Sequence, residues 1–264
     1  MVAPQKVGIW KQNIKELKKR FNLKYMPLTF RIVLVEPIYS GNIGSVARVM
    51  KNFGFSELVL LNPCELDTPA RVMSMHAYDI IENARIEFSL KDALAGSNII
   101  VGMTGVPGKT DNKHMRLPAL SPRKLKEKLT GKSGSVSLVF GREDHGLLNE
   151  ELGLCDIIVN IPTSMEYPSM NLSHAVAVVL YELSDVEAGR TYLADHFDIE
   201  LLYEHIEEVL SDIEYKEHKE DKTKLMLRRI LGRAELTARE VQTLRGILRR
   251  IQWKLRTGEY GKSD

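Results

Sequence analysis

Two apolar runs of the chain each end in a polar loop whose residue types could bind a ligand or carry out catalysis. The first run, 136–140, leads into the charged turn 141–146, and the second, 157–161, leads into a loop of hydroxyls, prolines and an amide. If both runs are buried strands of one sheet, their loops lie at its carboxyl edge, where α/β proteins bind ligands. The sequence therefore predicts a pocket at that edge.

The charged turn contains residue types that serve in acid–base catalysis or metal binding, namely Glu143, Asp144 and His145. Adjacent carboxylates in a turn usually point apart, and a histidine with two carboxylates lacks a third ligand at metal-binding spacing. We therefore predict no metal site. The glycines at both ends of the turn allow the backbone to approach a ligand closely.

The second loop contains several serines before a helix predicted over 171–183. No G-x-S-x-G elbow is present, and no catalytic triad can be assembled from these residues. His174 lies on the apolar helix and is predicted to be a core or interface residue. Ser169 or Asn171 can cap the helix, and backbone groups at its start can bind a polar ligand.

A third polar segment, 37–45, follows the apolar run 31–36 and contains Gly41 and Gly44. It lacks both the Lys-Ser/Thr of a phosphate loop and the glycine spacing of a dinucleotide site, so this pattern alone favours a tight turn. Arg48 lies one helical turn beyond Gly44. Together with Asn42 it could bind a phosphate or ribose at the start of the following helix.

Apolar segments that alternate with helical patterns indicate how these loops are positioned. Strands are predicted at 31–36, 58–63, 98–103, 136–140 and 157–161, and helices at 45–53, 70–81, 90–95, from 121 and at 171–183. Five strands alternating with helices on one core predict an open α/β domain with a parallel sheet over 29–186.

The segment 187–264 has a different, helical character. We predict an acidic amphipathic helix at 199–210, a charged linker at 214–221, a short basic helix ended by Gly232, and a last helix opened by a Thr237–Glu240 capping box. Its basic face includes Arg249 and Arg250. The charges of this module could contact RNA or pack against each other, and the sequence leaves both interpretations open.

The first 28 residues are strongly basic, with an amphipathic pattern over 10–21. This extension could be a nucleic-acid arm or a dispensable basic terminus. The composition, with 264 residues, 44% hydrophobic, 27% charged and a net charge of +2, is that of a globular protein. We find no apolar run of membrane-spanning length, no leader and no disulfide framework in Cys64 and Cys155, so a reducing cytoplasmic setting is expected.

Three stretches together resemble a known family. The segments 36–48, 138–147 and 161–173 resemble, in order and separation, the three motifs of SPOUT-class RNA methyltransferases that act on ribose 2′-hydroxyls. The resemblance covers about 29–186 and, with the helical C-terminal extension, is greatest to the TrmJ type. Enzymes of that type methylate the ribose at position 32 of the tRNA anticodon loop, on cytidine or uridine.

The resemblance implies a parallel-sheet fold whose C-terminal part is tied in a deep trefoil knot, and a homodimer with the helix 171–183 at its interface. It also implies that S-adenosylmethionine binds among the loops of the knot. The positions that match the cofactor-binding loops are Met103, Thr104, Gly105, Gly141, Ile161, Pro168, Ser169, Met170 and Asn171. Pro168 departs from the usual pattern of the family and removes one backbone donor.

Arg48 matches the arginine of the first motif, to which the resemblance assigns a catalytic role. A guanidinium stays protonated and is a poor base, so we expect Arg48 to hold a phosphate and polarise the hydroxyl. Ser169 is expected near the reacting centre, with Asn42 as a third catalytic residue.

Contacts with tRNA are expected from four arginines: Arg48, Arg142, Arg249 and Arg250. The sequence leaves two alternatives to tRNA ribose methylation open. One is the same reaction on ribosomal RNA, and the other is a catalytically silent, knotted RNA-binding protein.

Overall fold

The computed structural model describes residues 27–105, 118–189 and 191–257. The predicted N-terminal extension, with its amphipathic pattern over 10–21, lies outside the described residues except for its last two positions. Within the described ranges, no helix is long and apolar enough to cross a membrane.

A seven-stranded parallel sheet forms the centre of the molecule. Its strands are β1 (Leu28–Val35), β2 (Glu57–Leu61), β3 (Arg85–Glu87), β4 (Ile99–Thr104), β5 (Ala119–Leu120), β6 (Lys132–Phe140) and β7 (Ile157–Asn160). Their order is β3-β2-β1-β6-β4-β7-β5, and a short β8 (Thr191–Tyr192) pairs in parallel with the start of β6. The predicted parallel α/β class is confirmed. The sequence predicts only a short extended piece at 87–89 beside β3 and no strand at β5 or β8, because segments of two or three residues are too short to give a periodic pattern.

Seven helices lie between these strands or follow them in the part of the chain up to residue 189 that the structure describes. They are α1 (Ser40–Asn52), α2 (Thr68–Ser74), α3 (Tyr78–Glu82), α4 (Leu90–Leu94), α5 (Pro122–Leu129), α6 (Asn149–Gly153) and α7 (Leu172–Leu183). The C-terminal helices are α8 (His196–Asp212), α9 (Glu217–Ala234) and α10 (Ala238–Thr257).

The core consists of two apolar layers on the two faces of the sheet. Alternate residues of β1 separate them: Ile32 belongs to the layer with α1, α5 and α7, whereas Val33 belongs to the layer with α4 and α6. Both side chains are fully buried. Burial of both faces explains why the strands are continuous apolar runs and do not alternate with polar residues.

The start of α1 corrects one prediction. The helix begins at Ser40 and not at 45, so Asn42 and Gly44 lie within it and not in a tight turn. A Cβ on Gly44 would lie 2.3 Å from the carbonyl oxygen of Ala70 in α2. The glycine therefore permits close packing of two helices, which is a tertiary requirement that the local sequence pattern does not reveal.

Two other helix predictions were wrong in their bounds. The predicted helix 70–81 is interrupted by a 3₁₀ turn at Met75–Ala77, where Met75 has a φ of 52°. The predicted linker 214–221 is partly helical, because α9 begins at Glu217 and runs through Gly232 to Ala234. Gly232 does not end the helix; a Cβ there would lie 2.6 Å from the Cβ of Asp156, so it allows α9 to approach the sheet.

The C-terminal helices pack together and against the segment just before the start of β7. Arg229, which is 3% exposed, donates to the carbonyl oxygens of Leu152 and Cys155. Arg228 forms a two-pronged ion pair with Glu200 of α8, with distances of 2.7 and 2.9 Å. The predicted Thr237–Glu240 capping box is confirmed. The domain bounds themselves, 29–186 and 187–264, stay a prediction.

The deep trefoil knot also stays a prediction. A knot is defined by how loops thread, and residues 106–117, which connect β4 to β5, lie outside the described residues.

Candidate functional site

A cleft of about 280 Å³ lies at the carboxyl ends of β4, β6 and β7, which are neighbours in the sheet. The turn after β6 and the loop after β7 both line it, together with the residues that end β4. The predicted pocket is therefore present at the predicted edge. The contribution of β4 follows from the strand order, which places it between the other two.

Eight of the nine positions predicted to bind the cofactor line this cleft. They are Met103, Thr104, Gly105, Gly141, Ile161, Pro168, Ser169 and Met170. The ninth, Asn171, lines a neighbouring cavity of about 520 Å³ that shares Glu143, Ser169 and Met170 with the cleft. The structure thus brings the predicted residues together, while the ligand that they bind stays a prediction.

Two polar side chains hold the loops around the cleft. Asn160 at the end of β7 donates to the carbonyl oxygens of Thr104 and Gly105, at 2.8 and 3.2 Å. Thr163 donates to the carbonyl oxygen of Pro168 at 3.1 Å. Bonds between side chains and backbone replace regular secondary structure here, so the loops have a defined shape without a helix or strand.

The turn 141–146 is closed by backbone contacts that explain its glycines. Arg142 and Gly146 exchange backbone hydrogen bonds of 3.3 and 2.9 Å. A Cβ on Gly141 would lie 2.1 Å from the carbonyl carbon of Gly146, and Gly146 itself has a φ of 71°. A side chain at Gly141 would therefore force the turn open, and one at Gly146 would strain the backbone.

Arg142, which is predicted to contact RNA, is buried and paired with two carboxylates in the structure. The residue is 9% exposed, and its guanidinium donates two 3.0 Å hydrogen bonds to Glu151 and one of 2.9 Å to Glu36. The hydrogen bonds that Arg142 donates to Glu151 are the main cause that raises the pKa of Arg142. Because two carboxylates occupy its donors, we now interpret Arg142 as the side chain that fixes the turn and not as an RNA ligand.

Glu143 is a central residue of the site whose role the sequence did not reveal. Its carboxylate accepts hydrogen bonds from the backbone N–H groups of Ile38 and Tyr39, at 2.9 and 3.3 Å, and from the amide of Asn42 at 2.8 Å. An anion is favourable at a helix start, where N–H groups are unpaired. The carboxylate therefore binds the two backbone N–H groups just before α1 and connects them to the turn after β6.

Asn42 connects the first motif to the third. Its side-chain oxygen, Oδ1, accepts a hydrogen bond from the side-chain amide of Asn171 at 3.1 Å. The Asn171 oxygen in turn accepts from the backbone of Ser173 at 2.9 Å, which confirms that Asn171 caps α7. Since both polar ends of Asn42 are occupied, its geometry suits positioning more than direct attack on a substrate.

Arg48 lies on the exposed side of α1 and has no hydrogen bond or ion pair among the described residues. It lines neither the cleft nor the neighbouring cavity. Six residues of helix separate it from Asn42, which corresponds to about 9 Å along the axis and roughly a third of a turn around it. The sequence predicts that Arg48 and Asn42 act together on one phosphate or ribose. In the structure they do not lie on one face of α1.

The remaining candidate residues are exposed. Ser169 lies at the boundary of the two cavities. His174, predicted as a core or interface residue, is exposed in this chain and lines the second cavity. Arg249 and Arg250 lie on the exposed face of α10, where Arg250 stacks over Trp253 at 4.1 Å.

Within the described ranges, no group of three or more histidine, cysteine, aspartate or glutamate side chains could hold a metal ion. His145 is paired with the neighbouring Asp144, with Nδ1 and Oδ1 2.5 Å apart. Both cysteines are free thiols. Burial raises the pKa of the Cys155 thiol to about 12.

The parallel sheet, with a cleft built by three separate loops at its carboxyl edge, places the protein among the α/β proteins that bind a ligand at this edge. Comparison with known proteins identifies its family. The model of the SpoU rRNA methylase family matches residues 29–181, and that of the C-terminal domain of the tRNA methyltransferase TrmJ matches residues 197–260. The chain belongs to the SpoU rRNA methylase family, and its C-terminal helices are those of the TrmJ branch.

Relatives of this branch match almost along their full length. The tRNA (cytidine-2′-O-)-methyltransferase TrmJ of Methanocaldococcus jannaschii is 38% identical over 227 residues, which cover 83% of this chain and 98% of the relative. The tRNA (cytidine/uridine/adenosine-2′-O-)-methyltransferase TrmJ of Pseudomonas aeruginosa is 35% identical over 259 residues, covering 89% and 98%. The crystal structure of TrmJ from Z. mobilis ZM4 aligns with a TM-score of 0.68 at 27% identity, covering 84% of this chain and 98% of that one.

Proposed function

We propose that the protein transfers a methyl group from S-adenosylmethionine to the 2′-hydroxyl of a ribose in tRNA. The observation that carries the proposal is that the second and third motifs line one cleft, that Asn42 of the first motif is hydrogen-bonded to both, and that the chain also has the TrmJ C-terminal helices. The curated relatives of similar length are named as tRNA ribose 2′-O-methyltransferases. We infer that the ribose is at position 32 of the anticodon loop, as the sequence resemblance implies.

The cleft fits the chemistry of S-adenosylmethionine. Apolar side chains, among them Ile161, Met170 and Leu172, can flank an adenine ring, and the glycine-bordered loops expose backbone groups to its polar edge. The carboxylates of Glu143 and Asp144 lie in the same lining and suit a positively charged ligand. When bound, the cofactor supplies a methyl group on a sulfonium, which is already a good leaving group.

The task left to the protein is to position the 2′-oxygen and to assist the loss of its proton. Ser169, at the boundary of the cleft and the second cavity, is placed to contact the reacting ribose. Asn42 and Glu143 fix the start of α1 against the turn after β6, so that both motifs keep one geometry. Arg48 binds the adjoining phosphate and polarises the hydroxyl as a fixed cation.

We further propose that the protein acts as a homodimer in the cytoplasm, in which Arg48 of one subunit serves the site of its partner. Arg48 is exposed and lines neither the cleft nor the second cavity, which supports a role across an interface. Tyr181 of α7 is 66% exposed beside the half-buried Ala177 and Val178, and forms with them a suitable apolar stripe for a second copy.

The substrate is tested by incubating the purified protein with S-adenosylmethionine and either total tRNA or ribosomal RNA, and then mapping the modified ribose. We expect methyl transfer to tRNA at a single anticodon-loop ribose and no transfer to ribosomal RNA. Transfer to ribosomal RNA alone would favour the rival substrate. Calorimetric binding of S-adenosylmethionine distinguishes both enzymes from a silent RNA-binding protein, which would not bind it.

A further inference from the structure

A second cavity opens beside the cofactor cleft and has no role in the function described so far. Its volume is about 520 Å³, and it shares Glu143, Ser169 and Met170 with the cleft. Ser169, where the ribose is proposed to react, lines this cavity, so the cavity lies beside the reacting nucleotide and offers room for its base. The side chains around the cavity therefore decide how the base is bound.

Two tyrosines of this cavity are exposed to an unusual degree. Tyr39, just before α1, is 63% exposed, and Tyr167, in the loop after β7, is 79% exposed. Neither side chain has a ring contact or a hydrogen bond among the described residues. Exposed aromatic rings at the mouth of a nucleic-acid site are the usual platform for an unstacked base.

The polar groups of the same cavity are largely occupied by each other. Asn42 uses both ends of its amide, toward Glu143 and Asn171. Asn171 uses its amide toward Asn42 and its oxygen toward Ser173. The side-chain amides of Asn42 and Asn171 are thus fixed in position by other protein groups, and the exposed side chains of the cavity that remain to contact a base are the tyrosines, Ser169 and His174.

We propose that Tyr39 and Tyr167 form a stacking platform for the base of the nucleotide that is methylated. The proposal rests on the proposed ribose methylation and adds to it the site that binds the base. Stacking is tolerant of sequence because every base has a π face. In this proposal the first motif contributes Tyr39, just before α1, as an aromatic contact to the base of the substrate.

The first test compares Tyr39→Ala, Tyr39→Phe and Tyr167→Ala with the unaltered protein in steady-state methylation of tRNA. We expect each alanine variant to raise the KM for tRNA about tenfold, within the range measured for the stacking of one base on an aromatic ring. Tyr39→Phe keeps the ring and should retain the normal KM. Phe88→Ala, which removes an 82% exposed ring that follows the edge strand β3, is the matched control and should change nothing.

A second test removes the base in place of the ring. A tRNA with an abasic ribose at the mapped position keeps the reacting 2′-hydroxyl but has nothing to stack. The unaltered protein should bind this tRNA about tenfold more weakly, and Tyr39→Ala should lose no further affinity on it. If Tyr39→Ala weakens binding of the abasic tRNA as much as it weakens binding of the intact tRNA, the two losses of affinity are independent and the platform is overturned. A normal KM for tRNA in both Tyr39→Ala and Tyr167→Ala would also overturn it.

These outcomes are separable from failure of the proposed function. If the unaltered protein binds S-adenosylmethionine but methylates no RNA, the proposed function fails and takes the platform with it. If it methylates tRNA while the tyrosine variants and the abasic tRNA behave normally, only the platform fails. Calorimetric binding of S-adenosylmethionine to each variant, expected to be unchanged, shows that the cofactor cleft is intact.

Discussion

Glu143 and Arg142 are neighbours in sequence but serve the site in different ways. Arg142 points inward to two carboxylates and fixes the turn, whereas Glu143 points to the start of α1 and connects two motifs. The sequence showed a charged turn and a pocket, and both predictions are confirmed. It could not show these roles, because the partners of Glu143 lie up to 105 positions away in the chain.

Replacement of Arg48 tests the role of the exposed cation of α1. We expect Arg48→Ala to lower the kcat of methyl transfer by about 100-fold, because the phosphate next to the reacting ribose loses its anchor. Arg48→Lys distinguishes charge from geometry: it keeps the charge but not the planar fork, and low activity would favour the fork. Full activity in Arg48→Ala would remove this residue from the mechanism.

Replacement of Glu143 tests the connection between the first two motifs. Glu143→Gln removes a charged acceptor from two backbone donors, so it should cost about 1–3 kcal/mol of unfolding free energy and lower methyl transfer. Denaturant unfolding and a transfer assay measure the two effects. Glu65→Gln is the control, because Glu65 is an exposed carboxylate without a hydrogen bond or ion pair among the described residues. Identical behaviour of the two variants would contradict the connecting role.

At the scale of elements, long apolar runs predicted the strands well, since a buried parallel strand has a distinctive composition. The bounds of helices were less predictable where a glycine serves a tertiary contact. The local pattern predicts a turn at Gly44 and a helix end at Gly232, but both glycines lie inside helices that approach another element closely. From the local sequence alone, a glycine that allows a turn cannot be told from a glycine that allows two elements to pack closely.

The close contact of α1 with α2 gives a prediction for Gly44. In Gly44→Ala the new Cβ would collide with the Ala70 carbonyl, and we expect a loss of about 1–3 kcal/mol in unfolding free energy. Gly246→Ala is the matched control in α10, where a Cβ meets nothing within 4 Å, and it should gain about 0.5–1 kcal/mol. Thermal unfolding of both variants measures the contrast. A stabilised Gly44→Ala would contradict the packing argument.

At the scale of the whole molecule, the C-terminal helices are joined to the sheet by buried polar contacts. Asp156, directly before β7, accepts from the backbone of Ile100 and from the hydroxyl of Tyr203 in α8. Burial raises the pKa of this carboxyl. The position of the helices thus depends on residues beside β4 and β7, whose far ends line the cleft. The sequence predicted the helices but not their attachment, because it gives no distances between them.

A mixed dimer tests whether two subunits build each site. One subunit carries Arg48→Ala and the other carries Ser169→Ala, and the two are co-purified through different tags. If Arg48 serves the partner, one site of the mixed dimer keeps both residues and activity should be about half that of the unaltered dimer. If both residues act within one chain, both sites are defective and activity is lost. Light scattering on the unaltered protein, together with Tyr181→Asp, checks the dimer itself.

The central claim, that the cleft transfers a methyl group to a ribose hydroxyl of tRNA, is tested most directly by removing that hydroxyl. Two tRNAs are prepared that differ only in a 2′-hydroxyl or a 2′-hydrogen at the mapped nucleotide, and each is incubated with the protein and methyl-labelled S-adenosylmethionine. The account predicts label in the first tRNA and none in the second. Equal labelling of both would show methylation of a base or another position and would contradict the account.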